Sequence, residues 1–182
     1  MAFTHPYDED KYRIRPTAFI HPTAIIADNV YIGENVFIGP YCIIGGPAEW
    51  KGHSEHGVGP QGMGVRILAN SVLTGHVTVD SAAGSNPTII GKNCYLMKHS
   101  HVGHDAHLMS NVTVSCGAKI GGHAVIGHDV NIGLNAVIHQ KVIVREGCMI
   151  GACAFIGKTL ETKPYRKYAG VPARDIGENI KP

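Results

Sequence analysis

The residues of this chain best suited to chemistry are its histidines. There are twelve of them among 182 residues. The densest group reads H-x-x-H-D and comprises His101, His104 and Asp105, with His123 and His139 following it. Because an imidazole titrates near neutral pH, histidine can act as a general base toward an alcohol or amine, and an adjacent aspartate can fix its tautomer. Histidine is also the commonest protein ligand for zinc-type ions. The motif therefore indicates an acid–base site or a metal site, if the fold brings these residues together.

The element that must position these histidines is a six-residue repeat, which runs without interruption from Ile90 to Gly157. Every block opens with Ile, Leu or Val, and a small or aliphatic residue usually stands fifth. A strand repeats every two residues and an α-helix about every 3.6, so neither explains a period of six. Hexapeptide repeats are typical of parallel β-helices, in which three hexads form one triangular coil. The pattern predicts an all-β parallel β-helix of about six coils.

The same period divides the chain into segments. Hexads begin at Ile20, and residues 1–19 are expected to form an N-terminal leader segment. The β-helix is predicted over residues 20–157, with loop insertions at 47–64 and 80–88 where the period breaks. Residues 158–182 then form a short C-terminal tail with turn chemistry and no helical period. Insertions of this length in a compact domain are usually functional or disordered.

Coils of eighteen residues gather the histidines along one edge of the prism. His104 would lie over position 122, beside His123, and over position 140, beside His139. Asp105 would lie directly over His123. Three interpretations follow: surface histidines with no shared role, a metal site, or a general-base site in a cleft between copies of the prism. The single column disfavours the first interpretation, because unrelated residues rarely align in this way.

Composition excludes several functional classes. The formal net charge is only +2 and no basic block occurs, so phosphate neutralisation gives little support for nucleic-acid binding. No apolar run approaches the roughly 20 residues of a membrane span, and the first residues lack the apolar core of a secretion signal, so a soluble protein is expected. Five cysteines without a C-x-x-C pair are expected to be buried reduced thiols, which favours a cytoplasmic location.

Four segments carry a family resemblance. They are IHPTAIIADNVYIGENVFIGPYCIIG, the loop EWKGH, NCYLMKHSHVGHDAHL and GGHAVIGHDVNIGLNAVIHQ. Together they resemble the UDP-N-acetylglucosamine O-acyltransferases of lipid A biosynthesis, in which the H-x-x-H-D motif is followed at the same spacing by a G-H pair (here Gly122 and His123) and an H-Q pair (His139 and Gln140). The resemblance implies a left-handed parallel β-helix and a homotrimer with active sites between subunits. It also implies transfer of a (3-hydroxy)acyl group from acyl carrier protein to the 3-hydroxyl or 3-amine of a sugar nucleotide, without a cofactor or metal.

The resemblance also implies roles for individual residues. His104 would be the general base, Asp105 would assist it or contact the substrate, and the Gly122 N–H would stabilise the oxyanion. A methyl at Ala152 in the acyl groove would mildly favour a shorter chain. The residues implied in substrate binding are Lys51, His101, His123, His139, Gln140, Met149, Ala152 and Asn179.

The sequence also departs from the family pattern. It has fewer N-terminal coils, and it ends at Pro182 where the family's helical C-terminal domain would start, so a short form is expected. The acidic and arginine residues that would follow Asn179 are absent. The segment YAGVPARDIG instead resembles the tail of smaller hexapeptide acetyltransferases, so an acetyl-CoA-dependent sugar acetyltransferase is the main alternative. A γ-type carbonic anhydrase would need a second histidine five residues after His104, where Met109 stands. A scaffold without activity would not need a histidine column.

Overall fold

The computed structural model describes residues 13–48, 64–84 and 86–180. Lys51 and most of the first insertion lie outside the described residues. Within them the chain forms short strands and no helix, in this order: β1 (Phe19–Ile20), β2 (Ile25–Ile26), β3 (Val30–Ile32), β4 (Phe37–Ile38), β5 (Ile43–Gly46), β6 (Val65–Ile67), β7 (Val72–Leu73), β8 (Thr78–Asp80), β9 (Thr88–Ile90), β10 (Tyr95–Leu96), β11 (His101–Val102), β12 (His107–Leu108), β13 (Thr113–Val114), β14 (Lys119–Ile120), β15 (Val125–Ile126), β16 (Asn131–Ile132), β17 (Val137–Ile138), β18 (Ile143–Val144), β19 (Met149–Ile150), β20 (Phe155–Ile156), β21 (Arg166–Gly170) and β22 (Ala173–Glu178).

Every third strand joins the same sheet, so the chain winds around a triangular prism. The first sheet has the order β1-β4-β7-β10-β13-β16-β19-β21-β22, the second β2-β5-β8-β11-β14-β17-β20, and the third β3-β6-β9-β12-β15-β18. The pairs between β1 and β20 are all parallel, and His101 of β11 pairs with Lys119 of β14, eighteen positions later. Six coils and two strands of a seventh precede β21. The left-handed parallel β-helix expected from the sequence is therefore confirmed.

The core is a stack of apolar side chains, one from each strand. In the repeated two-residue strands the second residue points inward, as Val102, Ile120 and Ile138 do with 0–1% of their surface exposed. The residue that opens each hexad therefore fills the prism. Each inward side chain packs on its equivalent in the next coil, because a single coil cannot bury its apolar residues alone.

Three of the five cysteines lie in this core. Cys42, Cys94 and Cys148 are buried, and all five cysteines are free thiols. Burial raises the pKa of the Cys94 thiol to about 11, and it also raises those of Cys42 and Cys148. These three thiols are therefore protonated at neutral pH and act as small apolar core residues.

The corner between the third and first sheets is closed by a ladder of side-chain amides. Asn35 donates to Asn70, Asn70 to Asn93, and Asn93 to Asn111 across 3.1–3.2 Å, and Asn111 then donates to the carboxylate of Asp129 across 3.2 Å. All five residues have positive φ angles between 55° and 63°. Asparagine and aspartate tolerate this left-handed conformation better than other residues that have a Cβ atom, so the ladder satisfies the corner geometry and links successive coils.

The C-terminal tail closes the end of the prism with strands, where the sequence predicted only turns. β21 adds to β19 in parallel and then pairs with β22 in antiparallel orientation. Tyr168 is 1% exposed, and its hydroxyl accepts a 2.7 Å hydrogen bond from the Lys163 N–H. Arg166 forms a bidentate ion pair with Asp175. Each of the two strands has a single buried residue, Tyr168 in β21 and Ala173 in β22, so no apolar period is visible in the sequence.

Asn93→Ala should lower the free energy of unfolding by about 2 kcal/mol. The variant loses two ladder hydrogen bonds, worth roughly 0.5–1.5 kcal/mol each. It also leaves an alanine in the left-handed conformation, at φ 57°, with no side-chain amide to stabilise that conformation. Asn93→Gly loses the same bonds but relieves the backbone strain, so it should be less destabilising. Denaturant unfolding of the three proteins measures the order, and equal losses for both variants would contradict the role given to the left-handed conformation.

Candidate active site

The predicted catalytic residues lie on one corner of the prism, between the second and third sheets. This histidine corner comprises residues 103–106, 121–124 and 139–142, which follow β11, β14 and β17 in three successive coils. Both insertions leave the prism at the same corner, after β5 and after β8. The fold therefore places His104, His123, His139 and Gln140 together with the second insertion, as the eighteen-residue register predicted.

His104 and Asp105 form the central pair of this corner. The Nδ1 atom of His104 lies 2.7 Å from Oδ2 of Asp105, and the two side chains are 19% and 8% exposed. A carboxylate at Nδ1 favours the tautomer that carries its proton there, so the lone pair lies on Nε2. The pair thus presents a nitrogen that can accept a proton.

The second insertion holds Asp105 in place through main-chain donors. The N–H groups of Ala83 and Gly84 donate to its two carboxylate oxygens at 3.0 and 2.9 Å, and the Asp105 N–H donates to Oγ1 of Thr88 at 2.8 Å. A Cβ on Gly84 would approach Oδ1 of Asp105 to 2.8 Å, so a glycine is needed at this point. Ala83 and Gly84 were not predicted from the sequence, because a backbone N–H has no residue-type signature. The signal available was the position of the insertion, one coil before the motif.

These hydrogen bonds set the charge of Asp105. Burial opposes its ionisation, but the bonds from His104, Ala83 and Gly84 and the nearby His123 outweigh that effect, so the pKa of Asp105 lies below its ordinary value. Asp105 is therefore a carboxylate at neutral pH, and it can orient His104 and stabilise the imidazolium that forms when His104 takes a proton.

Gly122 and His123 complete the group from the next coil. The rings of His104 and His123 meet edge to face with centroids 5.0 Å apart, and Nε2 of His123 lies 3.9 Å from Asp105. A Cβ on Gly122 would lie 2.7 Å from Nε2 of His104, so the ring packs directly on this glycine. Its N–H has no hydrogen-bond acceptor in the described part of the chain. That donor can therefore bind an oxygen that develops negative charge close to His104.

His101 lies one strand before this pair and has its own partners. Its Nδ1 atom is 2.8 Å from Oγ1 of Thr78, and its Nε2 atom is 3.6 Å from a carboxylate oxygen of Asp80. Thr78 pairs with His101 across the second sheet, and Asp80 ends β8. Neither was among the residues predicted from the sequence, since each is an ordinary hexad residue until the register places it beside His101.

Of the remaining predicted residues, His139 and Gln140 lie at the histidine corner one coil after His123, and the others lie elsewhere on the prism. His139 contacts the backbone oxygen of Gln140 at 3.1 Å and the ring of Phe155. Met149 is half-buried on the first sheet, and Ala152 is exposed at the following corner. The side chain of Asn179 donates to the Gly147 carbonyl at 2.8 Å, at the corner between the third and first sheets. Of the predicted residues that the structure describes, His104, Asp105, Gly122 and His123 contact one another, and the roles of all the predicted residues stay predictions.

A metal ion could use the same side chains. Ligand atoms of His104, Asp105 and His123 lie within 4.8 Å of one another. However, both oxygens of Asp105 accept main-chain hydrogen bonds, and Oδ2 also accepts from His104. The arrangement fits a hydrogen-bonded acid–base pair better than a metal ligand set, in which those contacts would have to be given up.

Comparisons with known proteins agree with the repeat. The family model of the bacterial transferase hexapeptide (six repeats) matches residues 11–46 and 87–122, and that of the hexapeptide repeat of succinyl-transferase matches residues 123–158. An acyl-[acyl-carrier-protein]–UDP-N-acetylglucosamine O-acyltransferase of Helicobacter pylori (strain Shi470) is 40% identical over 82 residues, which are 45% of this chain and 30% of that protein.

Two solved structures extend the likeness over most of the chain. A crystal structure of a UDP-N-acetylglucosamine acyltransferase has a TM-score of 0.72 at 26% identity, covering 92% of this chain and 74% of that one. A mutant of perosamine N-acetyltransferase from Caulobacter crescentus, in complex with CoA and GDP-perosamine, has a TM-score of 0.56 at 17% identity and covers 89% and 57%. At that identity the second structure shows the fold alone.

The chain carries hexapeptide repeats, which the two family models match over residues 11–46 and 87–158, and it folds as a left-handed parallel β-helix. Among proteins with this repeat and fold, its relatives in sequence and in structure are the UDP-N-acetylglucosamine O-acyltransferases. The alignment with the Helicobacter pylori relative covers less than a third of that protein. Among the described residues, no helix is long and apolar enough to cross a membrane.

Asp105→Asn should destabilise the fold more at pH 7 than at pH 3. Because the pKa of Asp105 is lower in the folded chain than its unfolded value of about 4, its ionised form stabilises the fold above that value, and this contribution is lost as the pH falls through the folded pKa. Denaturant unfolding of wild type and variant at both pH values, at one protein concentration, measures the difference. Asp28→Asn is the control, since that carboxylate is fully exposed. A difference that does not shrink in acid would contradict the assignment.

Proposed function

We propose that this chain is an acyltransferase that moves a (3-hydroxy)acyl group from acyl carrier protein to the 3-hydroxyl or 3-amine of a UDP-N-acetylglucosamine-type sugar. The observation that carries the proposal is the His104–Asp105 pair, whose imidazole ring packs directly on Gly122. Relatives that carry the name of this activity share the repeat. The protein is proposed to act in the cytoplasm, and neither a metal nor another cofactor takes part in the proposed chemistry.

The proposed reaction is a general-base-assisted attack on a thioester. Nε2 of His104 accepts the proton of the sugar hydroxyl as its oxygen bonds to the thioester carbonyl carbon. The carbonyl oxygen becomes negatively charged and accepts a hydrogen bond from the Gly122 N–H, a contribution of about 10²–10³ in rate for one such donor. When the carbon–sulfur bond breaks, the imidazolium returns its proton to the thiolate. The products are the acylated sugar and the free thiol of the carrier.

Asp105 supports this cycle through its charge. As a carboxylate it holds the proton of His104 on Nδ1 and stabilises the imidazolium between the two proton transfers. The second insertion fixes the carboxylate through two main-chain donors, so the pair needs little reorganisation during the reaction. His101 and His123, which flank the pair, are proposed to contact the sugar nucleotide.

The proposed active unit is a homotrimer, as the family resemblance of the sequence implies. Apolar side chains on the outer surfaces of the first and second sheets support association: Ile25 is 64% exposed, Phe19 51%, Ile43 43%, and Phe37 and Val137 38% each. The histidine corner is open on one side, since the side chain of His123 is 44% exposed. A neighbouring prism placed against that corner would turn it into a cleft.

A donor and acceptor panel tests the reaction directly. Purified protein is incubated with acyl carrier protein thioesters of several chain lengths, or with acetyl-CoA, in the presence of UDP-N-acetylglucosamine and its 3-amino analogue. Mass spectrometry should detect acylated sugar nucleotide with the carrier-protein donors. Transfer from acetyl-CoA alone would instead assign the chain to the sugar acetyltransferases, the alternative favoured by the segment that forms β21 and β22.

His104→Ala should lower kcat by about 10²–10⁴-fold, because it removes the proposed base. His128→Ala is a matched control: His128 also stands directly before an aspartate with positive φ, but on the corner between the third and first sheets. Steady-state kinetics with the productive donor compare both variants with wild type after denaturant unfolding has established that they are folded. Near-normal turnover by folded His104→Ala would refute the assignment of the base.

A further inference from the structure

A second recess lies at the C-terminal end of the third sheet, away from the His104–Asp105 pair. This cleft of about 320 Å³ is lined by Lys141, Ile143, Arg145, Lys158, Glu161 and Thr162, and it is called the basic cleft below. None of its residues belongs to the group of histidines and Asp105 described above. Its lining combines three cations, one carboxylate and an apolar floor.

The basic cleft exists because the third sheet stops at β18. In place of a further strand, the hydroxyl of Thr162 accepts a hydrogen bond from the Arg145 N–H at 2.9 Å and donates one to the Ile143 carbonyl at 3.1 Å. A single buried side chain thus satisfies two main-chain groups at the edge of β18, and the segment that carries it passes beside the sheet without pairing with it. Ile143, on the outer surface of β18, remains 50% exposed at the base of the recess.

The charges of the basic cleft are unbalanced. Lys141, Arg145 and Lys158 face a single carboxylate, Glu161, and none of the three forms a salt bridge within the described residues. Elsewhere the same chain pairs a cation closely, as Arg166 does with Asp175. The three side chains are exposed, so solvent screens much of their mutual repulsion, and a bound anion would balance the excess positive charge of the recess.

The basic cleft continues the histidine corner. The Lys141 N–H donates to the Gly122 carbonyl, one coil after the His123 N–H donates to the His104 carbonyl, and Lys158 follows at the same corner after β20. Since stacked strands are about 4.8 Å apart, Lys141 lies roughly 10 Å and Lys158 roughly 14 Å from the His104 coil along the prism axis. A substrate that reacts at His104 can therefore reach the cleft with a charged group two or three coils away.

We infer that the basic cleft binds a phosphate group of one of the substrates. The inference rests on the proposed function, in which both partners carry phosphate: the donor as a phosphate ester in its pantetheine arm, the acceptor as a diphosphate. Lysine and arginine are the side chains that bind such groups, arginine with two parallel hydrogen bonds. Bound phosphate would hold the far end of the substrate while its reacting atom lies at His104.

The binding test uses probes that require no turnover. Isothermal titration calorimetry measures the affinity of the full chain for inorganic pyrophosphate and for 4′-phosphopantetheine, with uncharged pantetheine as the comparison. The variant Lys141→Gln/Arg145→Gln/Lys158→Gln should bind both phosphate probes at least tenfold more weakly. The control Arg13→Gln/Lys92→Gln/Lys98→Gln removes the same charge from distant surface positions, and it should bind within twofold of wild type. Denaturant unfolding verifies that both variants are folded.

Two results of the binding test would overturn the inference: no binding of pyrophosphate by wild type, or equal weakening in both triple variants, which would indicate a general effect of net charge.

Steady-state kinetics of the cleft variant identifies the source of the phosphate. A tenfold rise in the KM of the donor alone, with kcat unchanged, assigns the cleft to the pantetheine phosphate, and a rise for the sugar nucleotide alone assigns it to the diphosphate. Wild-type turnover with unchanged KM values and affinities in the cleft variant would refute the cleft and leave the proposed function standing. Specific pyrophosphate binding by a protein without transferase activity would refute only the function.

Discussion

The constraint on which the whole structure depends is the stacking of each inward side chain on its equivalent eighteen residues later. Most strands contain only two residues, so no strand pair is stable alone, and the apolar column inside the prism supplies the cohesion. The column also fixes the register, because a shift by one residue would turn every Ile, Leu and Val outward. Every other feature, from the asparagine ladder to the histidine corner, inherits its alignment from this column.

The same register explains why much of the candidate site could be predicted from sequence. Once eighteen residues make a coil, positions 104, 122 and 140 must share a corner, whatever their chemistry. The contacts of Asp105 with Ala83 and Gly84 could not be predicted, because they come from an insertion that breaks the repeat and from backbone atoms that any residue type supplies. The third sheet ends at β18, so nothing in the hexads indicates that Lys158 and Arg145 line one recess.

The ends of the prism were the least predictable part of the fold. A hexad predicts its neighbours above and below, but a terminal coil has a neighbour on one side only. Irregular elements close the C-terminal end of the prism. β21 and β22 extend the first sheet, and the hydroxyl of Thr162 hydrogen-bonds to the edge of the third. At the other end, Ile14, which belongs to the predicted leader segment, pairs with Ile32 as an isolated bridge. Such contacts at the ends of the prism depend on single side chains, so they leave no periodic pattern in the sequence.

The uniform separation of paired strands has a consequence for how the chain folds. Most partners are eighteen positions apart in a chain of 182, a relative contact order of about 0.1, which is in the range of helical bundles and below that of β-sandwiches. A parallel β-helix of this kind can form one coil at a time, because each new coil requires the closure of only a short loop and therefore a small loss of chain entropy. The exceptions span the insertions: β3, β4 and β5 pair with strands about 35 positions later, as Val30 does with Val65, and β6, β7 and β8 pair with strands 23 positions later, as Val65 does with Thr88. The first coils should therefore join a growing prism last, after the histidine corner has already formed.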